Sequence, residues 1–138
     1  MKAKSRKAGP VPAPVLMERR TRQRNAILQV MQAVDRPIGP QEILAAARRR
    51  SRGIGIATVY RNLKMLSAEG RLAIVDMPGA PPRYELAGKH HHHHFLCRRC
   101  DRLYEVHGCP KNLKRLTPRG FICEGHDLTL FGICAECA

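Results

Sequence analysis

Acidic side chains are scarce in this chain: 11 Asp and Glu stand against 25 Lys and Arg, a formal net charge of +14. That balance suits a polyanionic partner, nucleic acid before membrane. Long apolar runs are missing too. No stretch approaches the ~18 residues of a membrane span, and no secretion-signal pattern heads the chain. The expectation is therefore a cytoplasmic protein that contacts no membrane, with reduced thiols that bind metal in place of disulfides. No internal repeat is visible. At 138 residues neither half has the chain for a large core, and a metal staple would compensate. Nothing pairs an open metal position with a general base, so no enzyme is expected.

What the sequence does contain is two cysteine pairs, Cys97-Arg-Arg-Cys100 and Cys134-Ala-Glu-Cys137. Two residues between cysteines let both sulfurs of a tight turn face one point, so two turns close a tetrahedral shell around one Zn²⁺. Such a four-thiolate site has no open position and is structural. The gap from Asp101 to Ile133 means that it ties a hairpin to the far end of its unit. Cys109 and Cys123 are left over and read as ordinary inert thiols.

Residues 1–15 hold Lys2, Lys4, Arg6 and Lys7 with Pro10, Pro12 and Pro14. They read as a disordered basic tail, equally suited to solubilising the chain or touching DNA. Thr21 is placed to cap a first helix carrying Ile27, Val30, Met31 and Val34 on one face. Pro40 opens a second helix, with Glu42 in its first turn and Arg48, Arg49 and Arg50 in its last. A third runs from about Ile56 to Glu69 and stops at Gly70. The period then changes. Leu72 to Met77 and Arg83 to Leu86 read as strands around the turn Pro78 to Pro82. Three helices and a hairpin are the order of a winged helix-turn-helix, here 16–87. Ala87-Gly-Lys89 reads as a hinge. In the second unit, 88–138, His92 to Cys97, Arg102 to Val106 and a segment within Phe121 to Ile133 read as strands, and Pro110 to Leu116 as a short helix. The fold class is α+β.

On the third helix Ile56, Val59, Leu63 and Leu66 fall within a sector about 80° wide. The opposite side shows Ala57, Arg61 and Lys64, flanked by Thr58 and Tyr60. Arg61 suits a guanine edge, Tyr60 a thymine methyl, and Thr58 and Lys64 phosphates. Arg83, near the wing tip, is a further phosphate candidate.

Five histidines, His90 to His94, run directly into Phe95-Leu96-Cys97, unlike a terminal affinity tag. On a strand His92 and His94 share one face, and His91 and His93 the other. Pairing across the hairpin with residue numbers summing to about 197 sets Glu105 opposite His92. Glu85, His92, His94 and Glu105 then straddle the two units as a set suited to Zn²⁺, Fe²⁺ or Mn²⁺. The bland alternative is a solvated histidine strand.

Taken in order, several segments resemble the ferric uptake regulator family of bacterial metal-responsive repressors. They are Arg19-Arg-Thr-Arg-Gln-Arg-Asn-Ala-Ile-Leu28, Ala57-Thr-Val-Tyr-Arg-Asn-Leu63, Arg83-Tyr-Glu-Leu86, the histidines before Cys97, and Gly125-His-Asp-Leu-Thr-Leu-Phe-Gly-Ile-Cys134 with Cys137. The resemblance implies a homodimer on a palindromic double-stranded operator, built from a winged-helix domain and a small C-terminal α/β dimerisation domain. It assigns base contacts to Tyr60 and Arg61 and the minor groove to Arg19. It maps the structural zinc to Cys97, Cys100, Cys134 and Cys137, and the regulatory divalent ion to Glu85, His92, His94 and Glu105. A further metal site maps to His91, His93 and His126. Two features depart from the pattern. Arg36-Pro-Ile38 lacks the histidine of iron and peroxide sensors, and the carboxylate of the further site has no counterpart, with Asn112 and His107 nearby. The expected function is a metal-gated repressor of metal-uptake genes, zinc ahead of iron or manganese. The alternative is a constitutive winged-helix binder with structural zinc only.

Overall fold

The computed structural model describes residues 13–138. Three helices come first: α1 (Ala13–Ala33), α2 (Pro40–Ala47) and α3 (Ile56–Ala68). The hairpin β1 (Leu72–Met77) and β2 (Ala80–Leu86) follows. The C-terminal unit holds β3 (His93–Cys97), β4 (Leu103–Val106), a 3-10 turn (Leu113–Leu116) and β5 (Thr129–Gly132).

The core lies in the N-terminal unit. Ile27, Ile38, Ile43, Val59, Leu63 and Leu66 are fully buried and belong to one cluster. Burying α3 on Val59, Leu63 and Leu66 leaves Ala57, Tyr60, Arg61 and Lys64 exposed, as its amphipathic spacing predicts. Gly70, at φ 70, takes the left-handed turn that ends α3, and Arg71 N–H caps the Leu66 carbonyl at 2.9 Å. Ile38 exchanges two backbone hydrogen bonds with Tyr84 (3.0 and 2.9 Å), which adds a third edge to the hairpin.

Several expected boundaries shift. α1 starts at Ala13, so three residues of the expected tail are helical, while 1–12 lie outside the described residues. Thr21 is therefore mid-helix and caps nothing; its Oγ1 donates to the Met17 carbonyl one turn back, at 3.0 Å. The Glu18–Arg22 pair, 2.8 Å apart at i, i+4, supports this early turn. α2 ends at Ala47, before the three arginines. β2 takes in Pro81 and Pro82, which tolerate the outer edge of a two-stranded hairpin.

The C-terminal sheet has the order β4-β3-β5, with β3–β4 antiparallel and β3–β5 parallel. Its hairpin register sets His94 opposite Glu105 and His93 opposite Val106. The expected pairing of His92 with Glu105 is off by two residues, because the loop of the cysteine turn is longer than assumed. A shift of two preserves the face of every side chain. Apart from the buried thiols Cys97 and Cys134, the unit's buried hydrophobic side chains reduce to Leu103. So small a core needs a staple.

Candidate metal centres and nucleic-acid interface

Cys97 ends β3, and Cys134 follows β5, the parallel neighbour of β3. This pairing joins two turns distant in sequence. Each turn is closed by its own backbone: Asp101 N–H bonds the Cys97 carbonyl at 2.9 Å, and Cys137 N–H the Cys134 carbonyl at 3.0 Å. The four thiols lie within 4.8 Å of one another. Cys100 and Cys134 Sγ are 3.8 Å apart, matching the edge of a tetrahedron with Zn–S bonds of about 2.3 Å. Backbone amides of Cys100 and Cys134 point at the Cys97 sulfur and bring its pKa down to about 6; the Cys134 bond measures 3.3 Å. A thiolate at neutral pH is the form that ligates, so this set fits structural zinc.

The second cluster sits at the hinge. Glu85, from β2, reaches His92 and His94 of the C-terminal unit. His92 Nε2 is 3.1 Å from Glu85 Oε1, and His94 Nε2 is 3.9 Å from the same oxygen. His94 Nε2 is buried with no hydrogen-bond partner. The cluster fits a divalent ion by that orphaned nitrogen and by its mixed imidazole–carboxylate donors. Burial alone would raise the Glu85 pKa, but the His94 imidazole and the charges of His92 and Lys89 hold it below the usual carboxylate range. Burial likewise opposes charge on His92, yet the His90 carbonyl and the carboxylates of Glu85 and Glu105 raise its pKa. Glu105 stands at the rim. Its carboxylate pairs with Lys89, and His92 Nε2 is 3.8 Å away. Lys89 Nζ also lies 3.7 Å from Glu85 and from Asp35. This ammonium among three acids was not singled out from sequence.

On the opposite face of the histidine segment, His91, His93 and His126 converge, and Cys109 joins them. Among these, His93 is buried with both ring nitrogens unpartnered. Burial, then the neighbouring His91 and His126, lower its pKa. Cys109 is no isolated thiol: its Sγ is 3.0 Å from His126 Nε2. The signal was in the register. With β3 and β4 two residues further along, the segment after β4 falls beside His91. His107 turns instead toward Glu105 (3.8 Å), and Asn112 begins the 3-10 turn.

A basic face completes the molecule. Arg19, Arg20 and Gln23 of α1 line one groove with Thr58 and Arg61 of α3. Arg61 Nη2 donates to Thr58 Oγ1 at 3.1 Å, which holds the guanidinium along the helix. Tyr60 and Lys64 are exposed beside it. Arg83 is not part of this face. It is buried and bonds Asp101, because β2 turns its side chain toward the first cysteine turn.

A winged-helix unit followed by a sheet carrying four converging thiols, with a histidine–carboxylate cluster at the joint and a second histidine cluster beyond it, defines a metal-binding transcription regulator. The chain belongs to the ferric uptake regulator family, whose model matches residues 17–131. The family's members are transcriptional regulators that respond to metal, and they are not enzymes. The chain is 34% identical over 122 residues to the zinc uptake regulation protein of Mycobacterium tuberculosis, covering 86% of this chain and 94% of that one. It is 30% identical over 122 residues to the ferric uptake regulation protein of Campylobacter jejuni, covering 85% and 78%. Among solved structures, the Helicobacter pylori ferric uptake regulator, described as having three functional metal binding sites, superposes with a TM-score of 0.68 at 25% identity, over 90% of this chain and 89% of that one. Among the described residues no helix is long and apolar enough to cross a membrane.

Proposed function

We propose that this chain is a cytoplasmic, homodimeric repressor of metal-uptake genes that grips a palindromic operator when a divalent ion, zinc before iron or manganese, occupies the hinge cluster. One observation carries this reading: Glu85 of the wing hairpin and His92 of the C-terminal unit approach to 3.1 Å across the joint. Glu85, His92 and His94 would hold the ion, with Glu105 available at the rim. An ion there supplies a second cross-link between the two units, added to the Arg83–Asp101 hydrogen bonds. Without it, Lys89 neutralises the same acids through a flexible stem. Fixing the angle between units presents both recognition helices of a dimer to successive major grooves, so binding requires less reorganisation. A coupling of about 1–3 kcal/mol suffices for a switch.

Arg19, Thr58, Tyr60, Arg61 and Lys64 supply the DNA contacts. Leu116, Phe121, Ile122, Leu130, Phe131 and Ile133 are large apolar side chains left exposed in the C-terminal unit, and a second copy would cover them. Zinc is favoured by the likeness to a zinc uptake regulator and by the absence of histidine at Arg36-Pro-Ile38. The test is an operator titration after labile metal is stripped, then with Zn²⁺, Fe²⁺ or Mn²⁺ restored. Tighter binding with Zn²⁺, lost in His92→Ala, is expected. An affinity indifferent to every metal would leave a constitutive binder with structural zinc only.

A further inference from the structure

The face of β3 turned away from the hinge carries its own unmet chemistry. His93 is 1% exposed, and neither of its ring nitrogens has a hydrogen-bond partner. A buried imidazole without partners costs free energy unless something supplies them. Three other donor atoms surround the same point. His91 Nε2 and His126 Nε2 are 3.3 Å apart, and Cys109 Sγ is 3.0 Å from His126 Nε2. All four residues place a ligand atom within 4.8 Å of the others. A tetrahedral ion with metal–nitrogen bonds of about 2.0 Å sets its nitrogens about 3.3 Å apart. The His91–His126 separation matches that spacing, and an ion there would replace the single proton the two nitrogens otherwise share.

We propose that His91, His93, Cys109 and His126 form a labile metal site of three imidazoles and one thiolate, selective for a borderline-soft ion such as Zn²⁺. The proposal rests on reading the three histidines as a metal set and adds the sulfur, which changes what the set prefers. Thiolate and imidazole together suit Zn²⁺ and disfavour Mn²⁺, whereas a carboxylate in the same place would accept harder ions. His91 and Cys109 are exposed, so the ion exchanges with solvent. The four-thiol site is the more enclosed of the two, with Cys97 and Cys134 both buried. His93 is the neighbour of His94 on β3, so filling this face also stiffens β3 beneath the hinge cluster.

The test uses Co²⁺ as a spectroscopic substitute for Zn²⁺. The full chain, with its structural zinc in place, is titrated with Co²⁺ without DNA. The hinge cluster contains no sulfur, so a near-ultraviolet sulfur-to-cobalt charge-transfer band reports Cys109. The band is expected in the unsubstituted chain, in Cys123→Ser and in His92→Ala. Cys109→Ser should lose it and bind Co²⁺ on this face at least about tenfold more weakly, since even partners one shell further out contribute that much. Serine at this exposed position leaves the fold intact, which far-ultraviolet circular dichroism checks. No thiolate band in the unsubstituted chain, or an equal band in Cys109→Ser, would overturn the proposal. Either result leaves the metal-gated operator binding untouched, because that is read separately with DNA.

Discussion

Arg83 of the wing hairpin donates through Nη2 to both the main-chain carbonyl and the carboxylate of Asp101, at 2.7 and 2.8 Å. Asp101 closes the first cysteine turn in a left-handed conformation, φ 58. The structural metal turn and the DNA-binding unit are thus tied directly, on a different side of the joint from the Glu85–His92 contact. The two units therefore meet through two separate polar contacts, Arg83–Asp101 on one side and Glu85–His92 on the other.

Arg83→Ala should destabilise the chain by about 1–3 kcal/mol, the usual contribution of charge-assisted hydrogen bonds. Arg83→Lys should recover little, because an ammonium lacks the planar fork that reaches both acceptors along with the Pro81 carbonyl. Denaturant unfolding measures the loss. Affinity for nonspecific DNA at fixed salt should change far less than in Lys64→Ala, since Arg83 faces inward.

Arg61→Ala is expected to cost about 1–3 kcal/mol on an operator and to relax sequence preference at the base pair it reads. Lys64→Ala should weaken all duplexes alike and flatten the dependence of log K on log salt by about one. Competition binding with mutated operators at several salt concentrations separates the two. A Lys64 variant with an unchanged salt slope would remove that residue from the phosphate contacts.

Cys97→Ser should release the structural zinc and melt the β4-β3-β5 sheet, leaving the helical unit folded. Metal content per chain and circular dichroism on chelation check this. The reason is the distribution of the core: fourteen of the chain's buried residues form one cluster within Ala26–Leu72, and the C-terminal unit has little beyond the cysteines.

Metal affinity at the hinge should fall as the solution is acidified. His92 holds its proton to a higher pH than the ordinary imidazole value of 6.5, and an incoming ion must displace that proton. Affinity is therefore full above the raised His92 pKa and declines below it by about tenfold per pH unit per proton displaced. In the metal-free protein the sign reverses for this residue. The His92–Glu85 attraction stabilises the joint below pH 6.5 and is lost as pH rises through the raised value. The depressed Glu85 contributes above its unfolded pKa of 4.5 and is lost as pH falls through its folded value. Chelator-competition titrations at several pH values, with thermal melts of the stripped protein, test both directions.

Some of this is written locally. The apolar sector of α3, the proline that opens α2 and the glycine that ends α3 act through one or two turns of chain, so periodicity and end signals suffice to place them. The alternation of His91 to His94 between two faces follows from strand geometry alone and survives the two-residue error in register. The start of α1 was obscured because its first residues, Ala13 to Met17, follow a proline-rich basic stretch and stay exposed to solvent, so no buried stripe marks them.

The sequence by itself determined the winged-helix order, the paired cysteine turns and the exposed basic face of α3, because each depends on spacings of a few residues. Only the tertiary structure decided that Arg83 bonds Asp101 rather than facing outward, that Lys89 sits among Asp35, Glu85 and Glu105, and that Cys109 joins the outer histidines. Those contacts depend on how one unit docks on another and how many residues a loop contains. A single residue's type does not encode a neighbour brought from the far side of a hinge.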